Sequence, residues 1–349
     1  MKELIIPPKL KKGSRIAVVS LSWGILGEKT MEPFLQLGIS RMKALGMEPV
    51  FMPNALKGES YILDHPEARA QDLKDAFADP SVDGILTAIG GDDTYRTLPY
   101  LMEDEEFIRN VREHPKVFMG YSDTTVNHFM LYGLGLATYY APCFLVHYTE
   151  WGEDMLSYTK NAVKSLFEGA APLEVLPSEM WYESKKDFFD FEELPTGHKN
   201  HPYELLQGNV PFSGELLGGC LESIYDLLTG ARYPDEKQVC EKYHLFPDRN
   251  EWAGKILFIE TCEEKPTPSE YERDLLLFGE LGIFDVINGM IVGKPQDEAY
   301  YGEYREILRR IVPRNVPILY NVNIGHARPI TVLPIGRRAK CCENRIILP

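Results

Sequence analysis

The sequence predicts an α/β protein: an N-terminal doubly wound, mostly parallel sheet domain followed by a smaller C-terminal α/β domain with barrel-like closing strands. Three observations predict this. Short apolar runs recur that are continuous rather than alternating, the mark of strands buried on both faces. Between them lie stretches with apolar residues three and four apart, the mark of amphipathic helices. The chain, at 349 residues, is also longer than one core usually serves. The expected bounds are 1–170 for the first domain, 171–210 for a linker and a loop over the site, and 211–349 for the second domain.

The elements follow in order. Arg15-Ile16-Ala17-Val18-Val19-Ser20 is a first strand, ending in the loop Ser22-Trp23-Gly24. Met31, Leu35, Ile39, Met42 and Leu45 mark a helix closed by Gly46. Glu48 to Met52 is a second strand, and a helix is expected around Glu67 to Phe77. Val82 to Ala88 is a third strand, running into Ile89-Gly90-Gly91-Asp92-Asp93-Thr94. After a helical stretch from Glu103 to Arg112 comes the strand Lys116 to Met119, then Gly120-Tyr121-Ser122-Asp123-Thr124. The next helix carries Val126, Phe129 and Met130 on one side and is expected to stop near Gly133, with Asp123 and Thr124 as its cap-type residues. Ala137 to Tyr140 is a strand and Met155 to Phe167 a helix.

Periodicity fails from Ala171 to about Gln207, a stretch holding Trp181, Tyr182, Phe188, Phe189 and Phe191 among many charges. It reads as a long loop over a site or as a packed irregular linker. Beyond it, Gly218-Gly219 precedes a helix with Leu221, Ile224 and Leu228, and Lys255 to Ile259 is a strand ending at Glu260. Thr267-Pro268-Ser269-Glu270 has the form of a capping box with proline at the first helical position. Gly289 to Val292 is a strand, Tyr304 to Ile311 a helix stopped by Pro313, and Ile318 to Tyr320 a strand leading to Gly325-His326-Ala327-Arg328-Pro329. The tail reads as closing β-structure.

Composition narrows the function classes. Lysine and arginine number 37 against 52 aspartate and glutamate, a net charge of −15, which disfavours a nucleic acid polymer or an anionic membrane as partner. Met1 to Gly13 carries lysines and two prolines with no apolar run behind it, and no stretch is long enough to span a bilayer, so a cytoplasmic protein is expected. The six cysteines have no paired spacing that suggests a metal site and read as reduced core or strand residues. No metal and no cofactor is expected.

In open α/β folds, ligands bind beyond the C-terminal ends of strands. Four loops qualify: Gly90–Thr94, Gly120–Thr124, Glu260–Glu264 and Gly325–Arg328. They offer a serine, a carboxylate, a histidine and a glycine pair. A serine between a strand end and a helix start has the form of a nucleophile elbow, although G-x-S-x-T replaces the usual G-x-S-x-G, and the alternative is a helix cap. A serine hydroxyl needs a base, usually histidine, which in turn needs a carboxylate to fix its tautomer. Ser122, His326 and Glu260 supply those roles in the chain order Ser…Glu…His known from α/β-hydrolases. Glu263 and Glu264 are rivals for the carboxylate; His128, on the elbow helix, is the rival imidazole and is expected to point away from the turn. Gly90-Gly91 reads as an oxyanion loop acting with the N–H of Asp123. Gly-Gly-Asp-Asp-Thr alternatively resembles a magnesium and phosphate motif of the phosphofructokinase and NAD-kinase superfamily. A third reading is a small-molecule binding or sensor protein without catalysis.

Taken together, these residues resemble the LD-carboxypeptidase family of serine peptidases, and more narrowly its microcin C self-immunity branch. The resemblance runs from Ile16–Gly24 through Ile89-Gly90-Gly91 with Leu98-Pro99-Tyr100-Leu101 and Gly120–Thr125, then through Leu216–Gly219, Phe258–Thr261 with Glu263-Glu264, and Gly325-His326. It implies a Ser122–Glu260–His326 triad acting through an acyl-enzyme, an oxyanion hole from the N–H groups of Gly91 and Asp123, and a homodimer. It implies one of two activities. One cuts the amide-type bond of microcin C-like or aminoacyl-nucleotide compounds; the other removes the terminal D-alanine of murein tetrapeptides. Asp92-Asp93 after the glycine pair favours the first. The expected substrate contacts are Gly90, Asp92 and Trp181, the last stacking on a base.

Overall fold

The computed structural model describes residues 4–150, 152–187, 190 and 193–348. Five parallel strands build the first sheet: Ser14–Val19 (β1), Met47–Phe51 (β2), Gly84–Thr87 (β3), Val117–Gly120 (β4) and Thr138–Tyr140 (β5). The linking segment contributes Glu174–Val175 (β6), Met180–Tyr182 (β7), Gly197–Lys199 (β8) and Glu204–Gln207 (β9). The remainder contains Phe212–Cys220 (β10), Ile256–Glu260 (β11), Gly289–Gly293 (β12), Ile318–Val322 (β13), Leu333–Ile335 (β14), Arg338–Cys342 (β15) and Arg345–Ile347 (β16).

The first sheet has the order β14-β5-β4-β3-β1-β2 and the second β6-β16-β15-β10-β11-β12-β13-β9. Its doubly wound order changes direction between β1 and β3, where such sheets open a crevice at the strand ends. In the second sheet β10 to β13 run parallel, with antiparallel β15 and β9 at either side of them. β14 comes from the far end of the chain yet pairs antiparallel with β5, Leu333 opposite Tyr140. The predicted α/β class with an N-terminal parallel sheet and a curled sheet in the C-terminal region is what the chain adopts.

The continuous apolar runs are explained by burial on two faces. Ala17, Val19, Ile85 and Phe118 enter one core; Ile16, Val18, Leu86, Val117 and Met119 enter another on the opposite side. The first of these cores runs on into the second sheet through Leu216, Ile256, Phe258 and Ile291. The elbow helix, Thr124–Leu134, lies between the sheets and is buried along nearly its whole length, its polar Thr124, Thr125, Asn127 and His128 included. It ends at Gly135, two residues past the expected Gly133. Gly135 takes φ +94° and returns its amide to Leu131 and Tyr132, whereas the Gly133 position is open and helical. The capping box at Thr267 and Glu270 forms as expected.

The stretch without periodicity is not bare loop. β7 and β8 pair into a ribbon of their own, and β9 and β6 join the second sheet. These strands are two to four residues long, too short to show a period. Phe188, Phe189 and Phe191 lie outside the described residues. The short helices Glu59–Asp64, Leu98–Met102 and Phe144–His147 were equally invisible to a pattern that needs two turns.

Candidate active site

Ser122 follows β4 at the start of the elbow helix with φ +64°, a left-handed conformation that costs a non-glycine residue about 1–2 kcal/mol. The strain turns its side chain out of the strand–helix turn, the geometry of a nucleophile elbow. Its neighbour across the turn is Gly90, where a Cβ would lie 2.9 Å from Ser122 Cβ and 3.0 Å from Oγ. Only glycine lets the two loops meet this closely. Asp123, expected as a helix cap, does not cap its own helix; its carboxylate accepts the amide of Thr94 at 2.9 Å and so ties the elbow to the glycine loop.

Glu260 ends β11 and is 1% exposed. His326 follows β13, and Gly325 before it has φ +78°. A Cβ on Gly325 would lie 2.0 Å from Glu260 Oε2, so a glycine there lets the histidine loop close over the carboxylate. His326 Nδ1 is 2.8 Å from Glu260 Oε2, and the His326 amide donates to the same oxygen at 3.1 Å. His326 Nε2 faces Ser122 Oγ at 3.1 Å. Serine, imidazole and carboxylate thus form one hydrogen-bonded line. With the proton on Nδ1 held by Glu260, Nε2 is left to accept from the serine.

Tyr140, a residue that strand propensity alone explained at the sequence level, completes the arrangement. Its hydroxyl donates to Glu260 Oε1 at 2.5 Å and accepts the amide of Ser122 at 3.1 Å. Burial, then the charge of Glu260, pushes Tyr140 far above the ordinary phenol range, so it remains a donor. It stands at a strand end beside the elbow, a position that the strand-end rule could have singled out.

Burial disfavours the charged form of His326, but Glu260 and then Glu263 outweigh it and hold the imidazole well above its ordinary value. Glu263 Oε2 is 3.0 Å from Nε2, with a side chain 66% exposed. Burial opposes ionisation of Glu263 too, yet its hydrogen bond to the imidazole and the imidazole's charge bring it down to about 2. His128 does not compete. It is buried beneath the turn between Thr138 Oγ1 at 2.8 Å and the Gly120 carbonyl at 3.0 Å, and burial lowers it to about 4.

Two cavities meet at Ser122 and Gly91. The larger, about 400 Å³, is lined by Trp23, Gly90, Lys185, Lys265 and Arg328 beside Ser122 and His326. The smaller, about 40 Å³, includes Asp92, Cys220, Glu222, Arg232 and Glu236. Gly91, Asp92 and Asp123 line the smaller cavity with Ser122, and Gly90 and Gly91 line the larger one with it. Trp181 is placed elsewhere: it is 7% exposed, stacks on His198 at 4.4 Å with Lys294 over its ring, and lines neither cavity. The aromatic residues that line the larger cavity with Ser122 are Trp23 and Tyr121. The cationic wall of Lys185, Lys265 and Arg328 was not foreseen, because the three residues come from segments far apart in sequence.

The phosphotransferase alternative needs free carboxylates after the glycine pair. Asp93 is buried and held by Arg69 at 2.6 Å and Arg96 at 3.1 Å, while Asp92 is held by Arg232 at 3.1 Å. Ligand atoms of Cys220, Glu260 and His326 lie within 4.8 Å of one another, but the carboxylate and imidazole are already engaged in the network above. All six cysteines are free thiols. Among the described residues no helix is long and apolar enough to cross a membrane.

Comparison with known proteins places the chain in a family. The LD-carboxypeptidase N-terminal domain matches residues 16–141 and the LD-carboxypeptidase C-terminal domain matches residues 213–341. A solved structure of an MccF-like protein from Streptococcus pneumoniae, in complex with AMP, superposes with a TM-score of 0.93 at 47% identity, covering 97% of this chain and 99% of that one. A Streptomyces coelicolor protein named as a carboxypeptidase is 36% identical over 96% of this chain and 93% of its own length. The microcin C7 self-immunity protein MccF of Escherichia coli is 25% identical over 77% of this chain and 73% of its own. With both halves matched and its fold shared throughout, the chain is a serine-type carboxypeptidase belonging to the LD-carboxypeptidase family, on the MccF-like branch.

Proposed function

We propose that the protein hydrolyses the amide-type bond between an aminoacyl or peptidyl group and an anionic, nucleotide-like leaving group, with Ser122, His326 and Glu260 as its triad. The observation that carries this is the line Ser122 Oγ–His326 Nε2 at 3.1 Å and His326 Nδ1–Glu260 Oε2 at 2.8 Å. Ser122 Oγ bonds to the carbonyl carbon as its proton passes to His326 Nε2. Glu260 steadies the imidazolium that forms. The C–N bond then breaks, and His326 delivers the proton to the leaving nitrogen. Water repeats the sequence on the acyl-serine and frees the acid.

The tetrahedral oxyanion is held by the N–H groups of Gly91 and Asp123. This is supported by their place beside Ser122 and by the lack of any acceptor for either amide among the described residues. The leaving group lies in the larger cavity, because His326 borders that one and not the smaller. Trp23 offers it a ring face, and Lys185, Lys265 and Arg328 answer its negative charge. That the MccF-like protein of Streptococcus pneumoniae was solved with AMP supports a nucleotide there. The cytoplasmic location, which rests on the sequence, and the homodimer, which rests on the family resemblance, belong to the same proposal.

The test is a side-by-side assay of an aminoacyl-sulfamoyl adenosine and a murein tetrapeptide, with products identified by mass spectrometry, for the wild type and Ser122→Ala. Release of the amino acid from the adenosine compound by the wild type, and its loss in the variant, is expected. Turnover of the tetrapeptide alone would assign the site to murein recycling. Full activity of Ser122→Ala would remove the mechanism.

A further inference from the structure

The smaller cavity is far more acidic than hydrolysis requires. It is bordered by Asp123, Glu222 and Glu236 on its inner side, by Asp92, Asp226 and Glu264 toward its mouth, and by Glu263, whose carboxylate faces His326. The outer three share one cation: Arg232 lies 3.1 Å from Asp92, 3.3 Å from Asp226 and 3.0 Å from Glu264. The inner three have no ion pair among the described residues. Glu236 is 2% exposed, and its Oε2 is buried without a hydrogen-bond partner. Glu222 presents a second such atom: Oε2 accepts the Cys262 amide at 3.0 Å, but the buried Oε1 has no partner. Two orphaned carboxylate oxygens on one cavity wall are a cost the fold has no structural reason to bear.

The position of the cavity indicates what would satisfy them. Resting on the reading of Ser122 as nucleophile, the leaving group occupies the cavity that His326 borders, since it must receive that residue's proton. The reacting carbonyl sits where the two cavities meet, at Ser122 and Gly91. The acyl residue's side chain is then directed into the acidic cavity. That cavity shares Glu222, Asp226, Arg232, Cys262 and Glu264 with a neighbouring space of about 170 Å³, room for an extended stem.

We infer that this cavity is a specificity pocket for a cationic acyl side chain, a lysine-like ammonium on an aliphatic stem, which donates to the orphaned oxygens of Glu222 and Glu236. An aspartyl or glutamyl carboxylate has no hydrogen to donate to those oxygens and opposes their ionisation. Burial raises Glu236 to about 9 and Glu222 to about 8, and an ammonium placed between them favours their ionised form. The same chemistry occurs in a peptide ending in L-Lys–D-Ala and in a lysyl-nucleotide, so the two sources need separate arms.

The experiment measures recognition apart from chemistry. Binding of lysyl-, norleucyl- and aspartyl-sulfamoyl adenosine to Ser122→Ala is followed by calorimetry, and kcat/KM for the same compounds and for L-Lys–D-Ala and L-Nle–D-Ala peptides is measured with the wild type. Lysyl compounds are expected to bind about tenfold or more tighter than their norleucyl isosteres. Glu236→Gln and Glu222→Gln are each expected to narrow that ratio. Equal binding of the lysyl and norleucyl compounds, or a preference for aspartyl, overturns the inference. A lysyl preference in binding with no turnover of any compound by the wild type would instead sustain the pocket and overturn the hydrolase reading. Whichever lysyl series is turned over faster identifies the source.

Discussion

The carboxylate of Glu263 lies 3.0 Å from His326 Nε2, the same ring nitrogen that faces Ser122 Oγ at 3.1 Å. Two groups therefore compete for one atom. Glu263 favours a protonated imidazole, whereas attack by Ser122 needs a neutral one.

Replacing Glu263 by Gln removes that competitor's charge. His326 is held above its ordinary value by Glu260 and Glu263 together, so losing Glu263 lowers its pKa and leaves more neutral imidazole at a given pH. The acid limb of the kcat/KM profile is expected to move to lower pH. A pH–rate series on both proteins measures it; an unmoved limb, or one shifted upward, contradicts the assignment.

Tyr140→Phe leaves the Ser122 amide and Glu260 Oε1 without their shared partner in a buried site. The expected cost is about 1–3 kcal/mol of stability, measured by denaturant titration. A fall in kcat of about tenfold is expected alongside, because Glu260 is no longer fixed from its far side.

Gly90→Ala tests how close the two loops come. The added methyl would lie 2.9 Å from Ser122 Cβ and 3.5 Å from the Asp123 amide nitrogen. Either the serine rotates or the elbow retreats, and a misplacement of about 1 Å costs about a hundredfold in rate. A large loss of kcat with little change in melting temperature is the expected pair of readings.

Glu236→Gln is expected to stabilise the protein, increasingly so as pH rises. The folded-state pKa of Glu236 is raised to about 9 from an ordinary 4.5. The folded state thus holds a proton that the unfolded chain has released, and stability is lost as pH climbs from the lower value through the higher one. Glutamine has no such dependence. Unfolding free energies of the two proteins, from denaturant titration, should diverge by an amount on the order of 1–3 kcal/mol between mildly acidic and alkaline conditions. Parallel curves would show that Glu236 is not buried as described.

Much of this was legible in the residues themselves. Continuous apolar strands and strand-end loops marked out Ser122, Glu260 and His326, because each sits where a parallel sheet releases its chain. The strand-end rule could have drawn attention to Tyr140 but not to its partners, and an arginine after a helix, Arg232, looks ordinary until the tertiary fold supplies its own. Trp181 misled for a related reason. An aromatic in a polar stretch suggests exposure, but His198 and Lys294, which bury it, come from a ribbon and a strand end that the sequence pattern did not reveal. The cap at Asp123 failed because Thr94, far away in the chain, offered its carboxylate a more demanding amide.

The strand Leu333–Ile335 gives the molecule a property that neither sheet has alone. It crosses from the C-terminal half to cover the outer margin of β5, the strand that ends in Tyr140. A fragment cut before it would leave that margin bare and ready to pair with another chain. Chimaeras that join the front half of one relative to the back half of another would have to match not only the facing surfaces of the cleft but this borrowed strand. The two halves are therefore expected to diversify in step.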